Sequence, residues 1–251
     1  MDLYAHLATV YDRIFPLNPA SLAYIEGLDG RRGQKGRAID LGSATGSLAI
    51  ALAELGWEVA GVELSPDLLA LSRKRTIHQG AWVEFYQADM RDLGRLFTPT
   101  SADLILCLGN TLPHLANFEE LGAFLVAARS LLRIGGRIIL QLVNFDLAGP
   151  GFVFPTLVEV GFRFERSYSG LPDGRIAFDT RLSFDEGQSY KDRTALLPLS
   201  PKRLESELLR AGFSIEKRLA SWEGTDFDPR SSHYLTIVGL AEPARTDAAS
   251  L

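Results

Sequence analysis

The sequence is short of sulfur and of runs of any kind. Among its 251 residues there is one cysteine, Cys107, and there are two methionines. A lone cysteine excludes an internal disulfide and fits a reducing compartment. There is no basic run and no stripe of aromatics interleaved with lysine and arginine. The 26 Lys and Arg are scattered against 31 Asp and Glu, for a net charge of −5. That balance argues against tracking a phosphate backbone, so no nucleic-acid partner is expected. No apolar stretch approaches the ~20 residues that span a bilayer. Residues 1–16 carry Asp2, Asp12 and Arg13 and no continuous apolar segment, so neither a secretory leader nor a membrane partner is expected. Internal repeats, low-complexity tracts and metal-ligand clusters are also lacking. The expectation is a soluble, cytoplasmic chain of one large α/β domain, or a core with a smaller addition.

What is present centres on Ala38 to Ala53, A-I-D-L-G-S-A-T-G-S-L-A-I-A-L-A. An apolar strand, Arg37 to Leu41, breaks into the small-residue turn Gly42-Ser43-Ala44-Thr45-Gly46. The chain leaves it as a helix, Ser47 to Leu55, stopped at Gly56. Strand, glycine turn and helix are the first βα unit of a nucleotide-binding α/β fold. Glycine lets the main chain turn sharply and touch a ligand, and free N–H groups at the helix start face it. A second apolar strand, Trp57 to Leu64, brings Glu63 to its end, twenty-one residues after Gly42. A carboxylate there offers two acceptor oxygens to a ribose. Ser65-Pro66-Asp67 starts the next helix. Trp82 to Tyr86 reads as a third strand, running into Gln87-Ala88-Asp89-Met90. Ala102 to Leu108 is apolar almost throughout, as suits a strand buried on both faces. The loop after it, Gly109 to Leu115, should face a ligand, because ligands in open α/β sheets sit beyond the carboxyl ends of the strands. Cys107, at the end of that strand with no activating partner in view, reads as core.

Asp40 two residues before the run G-x-A-x-G resembles motif I of the class I S-adenosylmethionine-dependent methyltransferases, with Ala44 in place of the middle glycine. One added methyl makes this a mild departure. Three further features follow in that family's order: Glu63, the Asp89-Met90 segment, and Leu131-Leu132-x-x-Gly135-Gly136 before an apolar strand, Arg137 to Val143. The resemblance implies S-adenosylmethionine as cofactor, S-adenosylhomocysteine as product, and in-line displacement onto a small-molecule acceptor, driven mainly by proximity and orientation. It implies a Rossmann-like α/β fold, a seven-stranded mixed sheet with the last strand antiparallel. It places Asp40 near the methionine amino group and the turn Gly42, Ser43, Ala44, Gly46 around the methionine end. Glu63 then holds the ribose, Leu64 and Leu108 flank the cofactor, and Asp89 with Met90 meets the adenine. Tyr11-Asp12-Arg13-Ile14-Phe15 is similar to the N-terminal lid helix of small-molecule methyltransferases, where a tyrosine reaches the ligands; packing alone explains Tyr11 equally well. Cys107-Leu108-Gly109-Asn110-Thr111 with His114-Leu115 resembles a loop of the glycine/sarcosine N-methyltransferase group. By location Asn110 faces the acceptor, and His114 is either a general base or a histidine behind the site.

The rest of the chain is read around this core. Residues 1–36 hold two helices, Leu3 to Phe15 and Asn18 to Leu28, as a lid. Residues 37–146 and 199–241 form the cofactor-binding core. Residues 147–198 lose helical period and show short alternating stretches between turns, an antiparallel insertion of three or four strands over the active-site edge. Residues 242–251 read as a polar tail. Phe118 to Leu132 is an amphipathic helix stopped by Arg133 to Gly136, and Pro201 to Ala211 is another. Phe213 to Trp222 and His233 to Ala241 are the last two strands. Three other readings stay open: a non-catalytic cofactor-binding protein, an NAD-dependent oxidoreductase, which the glycine spacing disfavours, and an RNA methyltransferase, which the acidic balance disfavours. Oligomeric state leaves no mark in the sequence.

Overall fold

The structure, a computed structural model, describes residues 6–28, 36–79 and 81–243. The expectations for Leu3, Gly30, Gly33 and most of the tail lie outside those residues. Among the described residues, a helical turn at His6 and Leu7 precedes two short helices, α1 (Tyr11–Ile14) and α2 (Pro19–Gly27). Asn18 accepts from the Ala20 N–H at 2.9 Å and Pro19 takes the first position, as the sequence leads one to expect. The core then runs β1 (Arg37–Leu41), α3 (Ser47–Glu54), β2 (Glu58–Glu63), α4 (Pro66–Gln79), β3 (Val83–Gln87), α5 (Leu93–Leu96), β4 (Ala102–Cys107), α6 (Phe118–Leu131) and β5 (Leu132–Val143). An insertion follows: β6 (Leu157–Glu159), β7 (Phe162–Gly170), β8 (Ile176–Phe184) and β9 (Ser189–Leu196). The core closes with α7 (Pro201–Arg210), β10 (Phe213–Leu219) and β11 (Tyr234–Ala241).

The main sheet has seven strands in the order β10-β11-β5-β4-β1-β2-β3. β1 to β5 pair in parallel, and β11 runs antiparallel to both β5 and β10. The α/β fold and the antiparallel last strand are as expected from the sequence. Alternation sends Ile39, Leu41, Ile105 and Cys107 to one face, and Ala38, Val59, Leu104 and Leu106 to the other. Helices cover both faces, which is why β4 is buried at every position. Each buried Leu or Ile there contributes about 1.5–3 kcal/mol. Cys107 is fully buried and its thiol pKa is pushed far up by burial, with Asp40 adding to the effect, so it is core and not a nucleophile.

The insertion is a four-stranded antiparallel sheet, order β6-β7-β8-β9. Its Phe162, Phe164 and Leu182 form a separate apolar cluster with Leu7, Val10 and Ile14. The N-terminal segment is thus clamped to the insertion, and Arg13 adds a bond to the Val160 carbonyl at 2.7 Å.

Three boundaries differ from the sequence reading. Among the described residues the expected helix Leu3 to Phe15 is interrupted: His6 and Leu7 are helical, Ala8 to Val10 form a turn, and α1 resumes at Tyr11. The segment Arg133 to Gly136 does not end a helix into a loop; it already belongs to β5, which starts at Leu132 opposite Ala102. A side chain at Gly136 would stand 2.9 Å from the Arg133 carbonyl and 3.1 Å from that of Asp103. The bare glycine therefore lets the bulged strand lie close to β4. Finally, β10 stops at Leu219, and Trp222 leaves the sheet to pack on Tyr24 with ring centroids 5.8 Å apart.

Candidate active site

Parallel pairing aligns the carboxyl ends of β1, β2 and β4, so three loops converge at one edge of the sheet. The glycine turn is pinned first. Gly42 N–H and Ser43 N–H both donate to the Val62 carbonyl, at 2.8 and 3.1 Å. Gly42, Ala44 and Gly46 all have left-handed backbone, φ +69°, +49° and +78°. For Ala44 that conformation costs roughly 1–2 kcal/mol, so alanine here is a larger departure than one methyl group suggests. Its N–H is held in return by Glu63 Oε2 at 2.8 Å. Gly46 serves packing: a Cβ there would lie 2.7 Å from Phe85 Cζ and 2.8 Å from Ser72 Cβ. It lines neither of the cavities described next.

Two cavities meet at this edge. The larger, about 520 Å³, is bounded by Tyr11, Gly42, Glu63, Leu64, Asp89, Met90 and His114, and by Phe164, Phe178, Thr180 and Asp192 of the insertion. The smaller, about 440 Å³, holds Tyr11, Asp40, Gly42, Ser43, Ala44 and Leu108, with Trp222 and Glu223 from the loop after β10. Tyr11, Phe15, Gly42, Gly109 and Thr111 border both. The structure thus gathers most residues that the sequence singled out, and a cleft of this size suits small molecules.

The electrostatics differ along the cleft. Asp40 is 4% exposed, with no hydrogen bond to its carboxyl among the described residues. Burial first, and then the nearby Glu63, raise its pKa to about 7. Glu63 accepts from Ala44 N–H and, through Oε1, from Ser65 N–H at 2.8 Å; burial raises its pKa and those N–H groups oppose the rise. Ser43 Oγ is buried without a partner. Asp89 is engaged by Arg91, whose Nη2 donates to Oδ2 at 2.7 Å and Nε to Oδ1 at 3.0 Å; these bonds lower its carboxyl pKa. Arg91 was not singled out in the sequence, although the D-x-R spacing was there to read.

His114 is exposed and opens onto the larger cavity, with protein atoms packed around it. That desolvation lowers its pKa, and the Asp192 charge partly offsets it, so the imidazole is neutral near pH 7. Asn110, expected to face the acceptor, lies away from both cavities. Its backbone is left-handed, φ +66°. Its Oδ1 accepts from Val143 N–H at 3.0 Å and its Nδ2 donates to the Tyr168 hydroxyl at 3.3 Å. It staples the loop to β5 and β7 and lines neither cavity.

Asp12 was also missed. It accepts from Thr45 Oγ at 2.5 Å and Ser47 Oγ at 3.1 Å and pairs with Arg75, fixing α1 over the glycine turn. Tyr11 is thereby held at the seam of the two cavities. Only proximity to the lid motif hinted at this in the sequence.

Residues 38–136 match the family model described as a methyltransferase domain. The chain is 29% identical over 193 residues to a ubiquinone biosynthesis O-methyltransferase of Cupriavidus pinatubonensis, covering 73% of this chain and 75% of that one. Its fold superposes with TM-score 0.80 on an S-adenosylmethionine-dependent methyltransferase of Clostridium acetobutylicum, at 15% identity over 96% of this chain and 100% of that one. The TM-score is again 0.80 for the CcbJ methyltransferase of Streptomyces caelestis, at 23% identity over 94% and 96%. The domain match begins on the strand that carries Asp40 and ends at Gly136 within β5, and the whole-chain likenesses extend the fold through the insertion. Residues 38–136 are thus matched as a methyltransferase domain, and the chain as a whole has the fold of solved S-adenosylmethionine-dependent methyltransferases.

Proposed function

We propose that this enzyme methylates a small-molecule acceptor held between the glycine turn and the insertion sheet, and that the residues around the paired cavities divide the work. The observation that carries the reading is the meeting of a cavity bearing a buried, unpartnered Asp40 and Ser43 with one bearing Glu63, Asp89 and a neutral His114. The cofactor fits that donor set. Asp40 would take its amino group, the N–H groups and Ser43 of the turn its methionine end, Glu63 its ribose, and Asp89 with Met90 its adenine. When bound, it supplies an electrophilic methyl group already attached to a good leaving group. The protein's part is to hold two molecules in register and to exclude water. Asp12 and the apolar cluster around Ile14 keep the lid in place for that purpose. His114, neutral and facing the acceptor side, accepts a proton where the acceptor must lose one.

A pH dependence follows from Asp40. Its carboxyl is protonated in the free protein below about pH 7. A cationic amino group favours the ionised form. Binding of S-adenosylhomocysteine therefore releases a proton below pH 7, and affinity falls as pH drops through that value. Calorimetry in buffers of different ionisation heat reads the proton count. No proton release at pH 6 would detach Asp40 from the amino group.

The test of the reaction is release of S-adenosylhomocysteine across a panel of small amines, alcohols, phenols and carboxylates. Turnover with any member supports the reading. Cofactor binding with no turnover across the panel would favour a non-catalytic role. With an active acceptor that must lose a proton, His114→Gln lowers kcat roughly 100-fold and removes the acid limb of the pH profile. An unchanged profile would leave His114 only a wall of the cavity.

A further inference from the structure

The insertion sheet carries a row of three polar groups on one face; two of them line the larger cavity, and the third, Arg166, lies outside that lining, against Phe15 and Phe164, which belong to it. Register sets Arg166 of β7 opposite Thr180 of β8, and Thr180 opposite Asp192 of β9. Residues directly opposite share a face, and Thr180 and Asp192 line the larger cavity. Arg166 lies between Phe164 and Tyr168 on that same face.

Each member of the row is incompletely satisfied. Arg166 has no hydrogen bond and no ion pair among the described residues, and its Nε is buried without a partner. Its guanidinium rests instead over Phe154, Phe164 and Phe15, 4.9, 5.6 and 5.7 Å from the ring centroids. Aromatic faces only partly replace water around a cation. Thr180 Oγ is buried with no partner, in a residue 9% exposed. Among the described residues Asp192 accepts one side-chain hydrogen bond, from the Thr194 hydroxyl at 3.0 Å, and it stands near His114. Strands lie ~4.8 Å apart, so Arg166 and Asp192 sit with backbones roughly 10 Å apart, and no ion pair joins them among the described residues. A half-buried cation without a counter-ion among the described residues, a buried hydroxyl without a bond and a carboxylate beside a neutral imidazole together describe a complementary molecule.

We propose that this row is the acceptor subsite, and that the acceptor carries a carboxylate or phosphate at one end, seated on Arg166, and an amine or hydroxyl at the other, held by Asp192 beside His114. Thr180 bridges the middle. The inference rests on the methyl-transfer reading and narrows its acceptor to a class.

The test uses the full chain saturated with S-adenosylhomocysteine. The probes are straight-chain ω-amino acids of three to six carbons, with the matching alkylamines and alkanoates as controls. Calorimetry should show at least one ω-amino acid binding about tenfold or more tighter than either of its halves. Arg166→Met should reduce that affinity to the level of the alkylamine, Arg166→Lys should restore part of it, and Asp192→Asn should reduce it to the level of the alkanoate. No preference for any ω-amino acid over its halves overturns the proposal. So does a loss in Arg166→Met of affinity for S-adenosylhomocysteine but not for 5′-methylthioadenosine, which lacks the amino-acid end; that result gives the guanidinium to the cofactor's carboxylate. Failure of the wild-type protein to bind S-adenosylhomocysteine is a separate outcome, which contradicts the methyl-transfer reading itself.

Discussion

Glu63→Ala weakens S-adenosylhomocysteine binding by about tenfold or more, a loss of ~1.4 kcal/mol. The size follows from what the carboxylate does. Each oxygen already accepts one backbone N–H, from Ala44 and from Ser65, both at 2.8 Å. An ionised carboxylate has about four lone-pair sites, and even with the Leu64 N–H also acting on it, acceptor capacity remains for a ribose hydroxyl. A hydrogen bond to a charged group is worth roughly 1.5–3 kcal/mol. The substitution also frees the Ala44 N–H, and Ala44 holds an unfavourable left-handed backbone at φ +49°. The turn loosens where the methionine end is expected, which adds to the loss. Glu63→Gln keeps one acceptor oxygen but turns an NH₂ toward a backbone donor, so its affinity falls between the two. Unchanged affinity in Glu63→Ala would reduce Glu63 to a tether for the turn.

Gly46→Ala destabilises the fold by about 2–4 kcal/mol, from left-handed backbone and overpacking together. The new Cβ would stand 2.7 Å from Phe85 Cζ and 2.8 Å from Ser72 Cβ. Phe85 lies on β3, and Ser72 on α4 is fully buried, so neither can step aside without moving its element. Melting falls by roughly 5–12 °C for a chain of this length. Gly109→Ala is the control. Its φ of +66° is equally left-handed, yet a Cβ there meets nothing within 4 Å, so only the backbone cost applies. Equal melting points for the two variants would show that packing under the turn contributes nothing.

Local rules made much of this legible from residue order. The parallel core follows from apolar runs such as Ala102 to Cys107, broken by glycine turns and capped helices. Asp40, Glu63 and Asp89 were visible because each ends a strand, and strand ends on one edge of a parallel sheet must converge. What was not legible depends on partners far away in sequence. Asn110 looked free to face an acceptor until Val143 and Tyr168 claimed its two amide atoms. Asp12 gains its role from Thr45, Ser47 and Arg75 on other elements. The row Arg166, Thr180 and Asp192 exists only through hairpin register, which alternating stretches separated by turns leave open by a residue. Ala44 was read by side-chain volume, whereas its backbone angle sets the cost. The start of β5 was misjudged because Gly135-Gly136 is a helix stop in isolation and a close strand contact in the sheet.

What the paired cavities hold is tested most directly by calorimetric titration of the purified chain with S-adenosylhomocysteine, with NAD in parallel. The structure predicts one S-adenosylhomocysteine per chain with micromolar affinity, on the order of −8 kcal/mol, and no heat from NAD. Binding of NAD without S-adenosylhomocysteine would contradict the account, and the roles of Asp40, Glu63 and Asp89 would fall with it.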